Sequence, residues 1–258
     1  MPLFANAQID FSYPWWLTYG HLPIMAGAFS LLLVGLVRKW SRWSMLLLCL
    51  VALWSSAAFL VQRFVLNING VPELPTQSYL RSDAGRVLDM GAGTGRSSIM
   101  VLAARPHTNL VALDLFGRSF EQHFGASPDP RQILLANLKA AGVAQRVTIE
   151  TADVRKLPFG PASFDAIVSA YTIDHLNRQG SDQSLAEAAR VLKPGGDFLL
   201  MVIANEAWGK FVFGPLLAHG GTRDAVWWTS HVQNAGFQVL ERGNRPLTLY
   251  LLARRSPN

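Results

Sequence analysis

Three carboxylates and one run of glycines carry the chemistry that can be read in this chain of 258 residues. Asp89 closes an apolar stretch in "VLDMGAGTG", and Gly91, Ala92, Gly93 and Gly95 follow as a turn almost stripped of side chains. Asp114 ends "VALDLF", and Asp153 lies in "TADVRKLPF". Glycines let the backbone approach a ligand closely, and a helix opening at Thr94–Ser97 offers free N–H groups. A carboxylate immediately ahead of such a turn repels a pyrophosphate and favours a ligand with an ammonium group. Asp114, at the end of a second strand, is placed to accept hydrogen bonds from two ribose hydroxyls. Asp153, at the end of a third, can take an adenine amino group. Arg96 stands where the dinucleotide fingerprint wants its third glycine, which counts against a nicotinamide oxidoreductase.

A second group of reactive types follows a fourth apolar stretch, in "YTIDHL". Tyr171, Asp174 and His175 there would sit over a reacting atom, with His175 as the general base for an acidic acceptor. The alternative is that His175 only packs or helps to hold the ligand. The six histidines are dispersed and give no metal-ligand spacing, so no metal is expected. The single cysteine, Cys49, excludes an intramolecular disulfide and a thiolate cluster. The net charge of +6 is shared between the first 63 residues and the rest, too scattered for a nucleic-acid footprint.

Positioning three acids side by side requires parallel strands that end at one edge. Strands are expected at 86–91, 109–115, 146–153, 164–171, 197–204, 237–243 and 247–254. Helices are expected between them at 95–104, 130–141, 184–192 and 223–235. The early strands are nearly all apolar, as strands covered on both faces must be. The last two are joined by "NRP", too short for a crossover, and must pair antiparallel. The fold class is therefore α/β: a doubly wound, mainly parallel seven-stranded sheet with an antiparallel last strand.

Before this domain lie two uncharged apolar runs, Trp15–Val37 and Trp43–Val61. Each is long enough to cross a hydrocarbon core of ~30 Å as a helix. Tryptophans at their ends suit the headgroup layer, and "RKWSR" makes a short hairpin turn. The expected organisation is a membrane-anchoring hairpin over 1–63, with spans near 15–37 and 43–61. A linker with a short docking segment over 64–85 and a catalytic domain over 86–258 complete it. Soluble core helices and a cleaved signal peptide are the alternatives; the first would show a polar face, the second would export the domain. Arg38, Lys39 and Arg42 in the turn prefer the cytoplasm, which conflicts with a cytoplasmic domain.

Taken in order, "VLDMGAGTG", "VALDLF", "TADVRKLPFGPASFDAIVSAY" and "LAEAARVLKPGG" resemble the successive motifs of class I S-adenosylmethionine-dependent methyltransferases. The resemblance implies S-adenosyl-L-methionine as cofactor. It implies that Asp89 and the Gly91–Gly95 turn cradle the methionine moiety, and that Asp114 binds the ribose. Leu115 and Phe116 would lie against the adenine, with Asp153 and Val154 at its edge. Ser169, Ala170 and Tyr171 would line the pocket near the methyl group. The amino-group tetrad, Asn or Asp followed by Pro-Pro and an aromatic, is missing at 169–172, which disfavours DNA- or glutamine-type N-methylation. Two segments, 116–130 with Glu121 and His123, and 205–221 with Trp208, Phe211 and Phe213, would shape the acceptor site. The expectation is a methyltransferase held at a bilayer, its domain on the cytoplasmic side of a bacterial inner membrane, acting on a hydrophobic or amphipathic small molecule. A noncatalytic cofactor-binding module or a lipid-modifying relative such as a cyclopropane synthase stays open, as do the acceptor atom and the oligomeric state.

Overall fold

In the computed structural model, residues 9–116, 129–213 and 223–256 are described. The chain forms two compact units, Tyr13–Gly70 and a larger one built from Val71 onward together with the segment that ends at Ser12. The boundaries therefore fall at Ser12 and Gly70 rather than at residues 63 and 85.

The smaller unit is a helical hairpin: α1 (Trp15–Tyr19), α2 (His21–Arg38) and α3 (Arg42–Leu60), the last running on as a π-helical turn, Val61–Leu66. The single span expected from Trp15 is broken at Gly20. Pro23 has no N–H, and its ring would clash with the carbonyl four residues back, so α2 has to restart. The hairpin turn is built locally. Lys39 caps α2 in the left-handed conformation (φ 55°), and the Ser41 hydroxyl caps α3 by accepting the Ser44 N–H at 3.2 Å. The seam between α2 and α3 is lined by small residues, Ala28, Gly35, Ala52, Ser55 and Ala58. A Cβ on Gly35 would lie 2.6 Å from the Met45 sulfur. Large apolar side chains point the other way: Leu33 is 66% exposed and Val37 81%. Both α2 and the Arg42–Leu66 helix are long and apolar enough to cross a membrane.

The larger unit is a seven-stranded sheet in the order β3-β2-β1-β4-β5-β7-β6. Its strands are β1 (Ala84–Met90), β2 (His107–Asp114), β3 (Val147–Thr151), β4 (Phe164–Ala170), β5 (Leu192–Ile203), β6 (Phe237–Arg245) and β7 (Thr248–Arg255). The first five pair parallel, and β7 runs antiparallel to both β5 and β6. The helices are α4 (Arg96–Ala104), α5 (Pro130–Ala140), α6 (Arg178–Val191), α7 (Ala207–Phe213) and α8 (Ala225–Asn234). Helix α6 starts six residues earlier than expected because Asn177 caps it, its side chain accepting the Gly180 N–H at 2.8 Å. Val87, Leu88 and Met90 are fully buried, as expected of apolar residues in a central strand, and Asp89 is buried with them.

The stretch after Gly70 docks on this unit. Arg105 donates from Nε and Nη2 to the Tyr79 carbonyl, and the Leu80 N–H donates to Asp197 Oδ2 at 2.9 Å. The Thr76 hydroxyl donates to Glu241 at 2.6 Å. Tyr79 is fully buried and its hydroxyl has no partner; burial, then the nearby negative charges of Asp89 and Asp197, push its pKa well above the ordinary value. A buried hydroxyl without a partner costs free energy. Tyr79→Phe is therefore expected to raise the unfolding free energy by about 1 kcal/mol in denaturant titration. A loss of that size instead would show that the hydroxyl is satisfied in solution.

Candidate active site

The strand order puts the carboxyl ends of β3, β2, β1, β4 and β5 next to one another, and the expected site residues lie along that edge. The glycine turn is folded back on β2, with the N–H groups of Gly91 and Ala92 donating to the Leu113 carbonyl at 2.8 and 3.0 Å. Gly91, Gly93 and Gly95 all have positive φ (86°, 51° and 97°). Gly95 then caps α4, whose first N–H groups face the turn.

The absence of a side chain at Gly91 also serves the fold. A Cβ there would lie 2.1 Å from the Thr172 hydroxyl, which donates to the Gly91 carbonyl. At Gly95 a Cβ would meet Leu134 at 2.7 Å.

Asp89 is fully buried. Its Oδ2 accepts the hydroxyls of Ser97 and Ser98, at 2.7 and 2.6 Å, while its Oδ1 is buried with no hydrogen-bond partner. Burial raises the pKa from 3.8 to about 6; the two serine hydroxyls oppose the shift and the Asp114 charge adds to it. A buried carboxylate oxygen without a donor is rare in folded proteins. It fits the ammonium group of a methionine moiety. The two serines were not anticipated, although both lie in the first turn of α4, directly after the glycines.

Asp114 holds the turn from the far side. Its Oδ2 accepts the Gly93 N–H at 2.9 Å and its Oδ1 the Phe116 N–H at 3.1 Å, so each oxygen keeps acceptor capacity for a ribose hydroxyl. Phe116 is turned by a φ of 47°, and Leu115 is exposed. Asp153 departs from expectation. Its carboxylate is gripped on both oxygens by Arg155, at 2.6 to 3.0 Å, and these bonds lower its pKa. An adenine amino group would have to share it. Val154, next in the chain, is buried.

Beyond β4 the predicted residues separate in role. The Ser169 hydroxyl is buried and donates to the Met90 carbonyl at 2.9 Å, so it joins β4 to β1. Ala170 is half-buried. Tyr171 leaves the strand with φ 54°, and its hydroxyl pairs with Thr248 on β7. Asp174 and His175 share a 3-10 turn, Ile173–His175. Asp174 is buried; its Oδ2 accepts the Ile203 N–H at 3.0 Å while Oδ1 has no hydrogen-bond partner. Burial raises its pKa against the pull of His175 and Arg223. Half of that carboxylate is thus an anchor to β5, and His175 is the exposed member of the pair.

Arg223, absent from the sequence reading, pins the same turn. It donates to the Leu176 carbonyl at 2.8 Å and to Ser181 at 3.2 Å, with its guanidinium 4.4 Å above the Trp227 ring. Only its position after a long connection hinted at this. Most of the two acceptor-shaping segments, 117–128 with Glu121 and His123 and 214–222, lies outside the described residues, as do the side chains of Trp208 and Phe211. Among the described residues no three of His, Cys, Asp and Glu gather as a metal site. A cavity of about 360 Å³, lined by Arg86, Asn109 and Arg146, is at the opposite, amino end of β1 to β3.

Residues 87–196 match the family model described as methyltransferase domain. The demethylmenaquinone methyltransferase of Deinococcus radiodurans is 32% identical over 126 residues, 49% of this chain and 46% of that protein. The ubiquinone/menaquinone biosynthesis C-methyltransferase UbiE of Bartonella henselae is 34% identical over 124 residues, 46% of this chain and 42% of its own length. The chain thus spans about half the length of the curated relatives it matches. An O-methyltransferase family protein from Burkholderia thailandensis superposes with a TM-score of 0.56 at 17% identity, covering 92% of this chain and 70% of that one. A 1,6-didemethyltoxoflavin-N1-methyltransferase from the same species, solved with S-adenosylhomocysteine, gives a TM-score of 0.50 at 19% identity over 67% of this chain and 72% of that one. Sheet order and glycine turn are those of the Rossmann-like methyltransferase fold, and residues 87–196 are similar to a methyltransferase domain. The cofactor of such a domain is S-adenosylmethionine, and the residues around Asp89 fit it.

The ionised form of Asp89 is the one that holds an ammonium group. S-adenosylhomocysteine affinity should therefore rise about tenfold between pH 5 and 7, as a group with a pKa near 6 loses its proton. Stability without ligand runs the other way, because a raised carboxylate pKa favours the folded state at low pH and that gain is lost as pH climbs through 6. Asp89→Asn should weaken binding and flatten its pH dependence in calorimetry. Equal affinity at both pH values for the unmutated chain would remove Asp89 from the ammonium site.

Proposed function

We propose that this protein is a membrane-anchored S-adenosylmethionine-dependent methyltransferase whose acceptor is a small phenol- or quinol-like molecule that partitions into the bilayer. The observation that carries the methyltransferase reading is the unpartnered Asp89 oxygen beside a glycine turn held by Asp114. The acceptor class draws on the relatives, a demethylmenaquinone methyltransferase and a ubiquinone/menaquinone biosynthesis C-methyltransferase.

When bound, the cofactor supplies a sulfonium-borne methyl group for in-line displacement. Asp89 receives its ammonium group, Asp114 the ribose hydroxyls, and Asp153 with Val154 the adenine edge. Leu115 and Phe116 flank the ring, and Ala170 borders the methyl site. His175 takes the acceptor proton, raising electron density at the attacking atom. Asp174 and Arg223 hold the His175 turn from two sides, so the base needs no reorganisation. Tyr171, fixed by Thr248, closes the wall beside it.

Support for the anchor comes from the hairpin's packing. Water-soluble helix pairs bury large side chains, whereas pairs in lipid bring small residues together and leave the large ones to the acyl chains. The Tyr13–Gly70 unit follows the second pattern. The catalytic domain lies on the cytoplasmic side, where the cofactor is made, and Arg38, Lys39 and Arg42 then reach headgroup phosphates at the other end of the spans.

Incubating the full chain in detergent with isotopically labelled S-adenosylmethionine and a native membrane extract should place label on an extractable, apolar product seen by mass spectrometry. Label confined to protein or to nucleic acid would overturn the acceptor class. Against that product, His175→Ala should lower kcat about 100-fold with little change in the KM for S-adenosylmethionine. An unchanged kcat excludes it as the base. The chain should also float with phosphatidylethanolamine/phosphatidylglycerol liposomes and stay with them in 1 M salt (roughly 3 Å Debye length). Release by salt would reduce the hairpin to an electrostatic surface contact.

A further inference from the structure

The short stretch ahead of the hairpin makes contacts that neither the cofactor nor the anchor reading requires. Asp10 and Phe11 lie across the glycine turn, and one side chain, Asn137 of α5, joins the two. Its Nδ2 donates both to the Asp10 carbonyl at 2.8 Å and to the Thr94 carbonyl at 2.9 Å, while its Oδ1 accepts the Asp10 N–H at 3.0 Å. Thr94 adds a fourth bond, its hydroxyl donating to the Phe11 carbonyl at 3.0 Å. Phe11 is buried, and Ser12 turns back with φ 56°, its N–H donating to the Asp10 carboxylate.

Asparagine is a poor choice for the middle of a helix, since it competes for backbone hydrogen bonds. At position 137 it is buried, and both its N–H donors and its oxygen are used. The thing it holds is the least constrained part of the site. Thr94 stands between Gly93 and Gly95, both at positive φ, and glycine loses more backbone freedom on ordering than any other residue. Asp114 fixes the turn at Gly93 only. Thr94 is fixed through its carbonyl by Asn137 and through its hydroxyl by the strap.

We propose that Asn137 is a positioning residue for the cofactor turn, clamping the Asp10–Ser12 strap across Thr94, so that the chain entering the hairpin helps to set cofactor affinity. The proposal rests on the glycine turn being the cofactor cradle. The strap passes into Tyr13, the first residue of the hairpin unit, without a linker. Loss of the clamp frees the turn to sample conformations that the ligand must then reorder, and that cost falls on binding.

The test uses the full chain in detergent micelles, with S-adenosylhomocysteine affinity by calorimetry and amide exchange by mass spectrometry. Asn137→Ala should raise the Kd about tenfold and Thr94→Val about fivefold, as expected for lost hydrogen bonds. Thr94→Ser, which keeps the hydroxyl, should stay within about twofold of the unmutated chain. Ligand should slow exchange of the Asp10 amide in the unmutated chain and not in Asn137→Ala, a difference that general destabilisation does not produce. Should Asn137→Ala lose protection across β1 and β4, Thr94→Val decides. A Thr94→Val chain that binds within twofold overturns the inference while leaving the cofactor site standing. No binding by the unmutated chain overturns the cofactor reading, and this one with it.

Discussion

The buried carboxylate of Asp89 is the constraint around which the larger unit is arranged. A charge in the middle of an apolar sheet is costly unless donors surround it. The chain supplies two, Ser97 and Ser98, from the first turn of α4. That requirement fixes where α4 begins relative to β1, and hence the tight glycine turn between them. One oxygen is left without a protein donor, an arrangement that fits the ammonium group of a ligand. Burial lifts the acid's pKa to about 6, against the pull of the two serine hydroxyls.

Around this point the turn is braced by four residues from three other parts of the fold. Asp114 at the end of β2 takes the Gly93 N–H, Thr172 beyond β4 fills the space a side chain at Gly91 would occupy, Leu134 of α5 does the same at Gly95, and Asn137 grips Thr94. The 3-10 turn carrying Asp174 and His175 is braced in the same manner, by Ile203 and Arg223. The site is therefore a set of short loops, each tied to the next strand or helix, which suits chemistry that depends on alignment more than on strong acids or bases.

The two units are packed differently. In the sheet unit the large apolar residues are inside, with Phe164, Phe198 and Trp228 among the most buried. In the hairpin unit the buried residues are Ala28, Gly35, Ala52, Ser55 and Ala58 together with Thr18, His21 and Gln62, and Leu, Val, Phe and Trp side chains are exposed. Hydrophobic burial organises the first unit, whereas close backbone approach organises the second.

The amino-acid sequence by itself determined the alternation of strands and helices, the antiparallel final pair, and the positions of Asp89, Asp114 and the glycine turn. Those depend on local chemistry: apolar runs, turn formers and spacing along the chain. Helix boundaries shifted where a cap or a proline intervened, as at Asn177 and Pro23. Tertiary structure alone decided which side chains were already engaged. Asp153 is also held by Arg155, the Ser169 hydroxyl also reaches the Met90 carbonyl, and the bare Gly91 also makes room for Thr172. Ser97, Asn137 and Arg223 were unremarkable in sequence because their roles rest on partners 8 to 127 residues away, Asn137 reaching back to Asp10 and Arg223 to Leu176. A pattern along the chain records what a residue is suited to bond, and only folding settles which neighbour reaches it first.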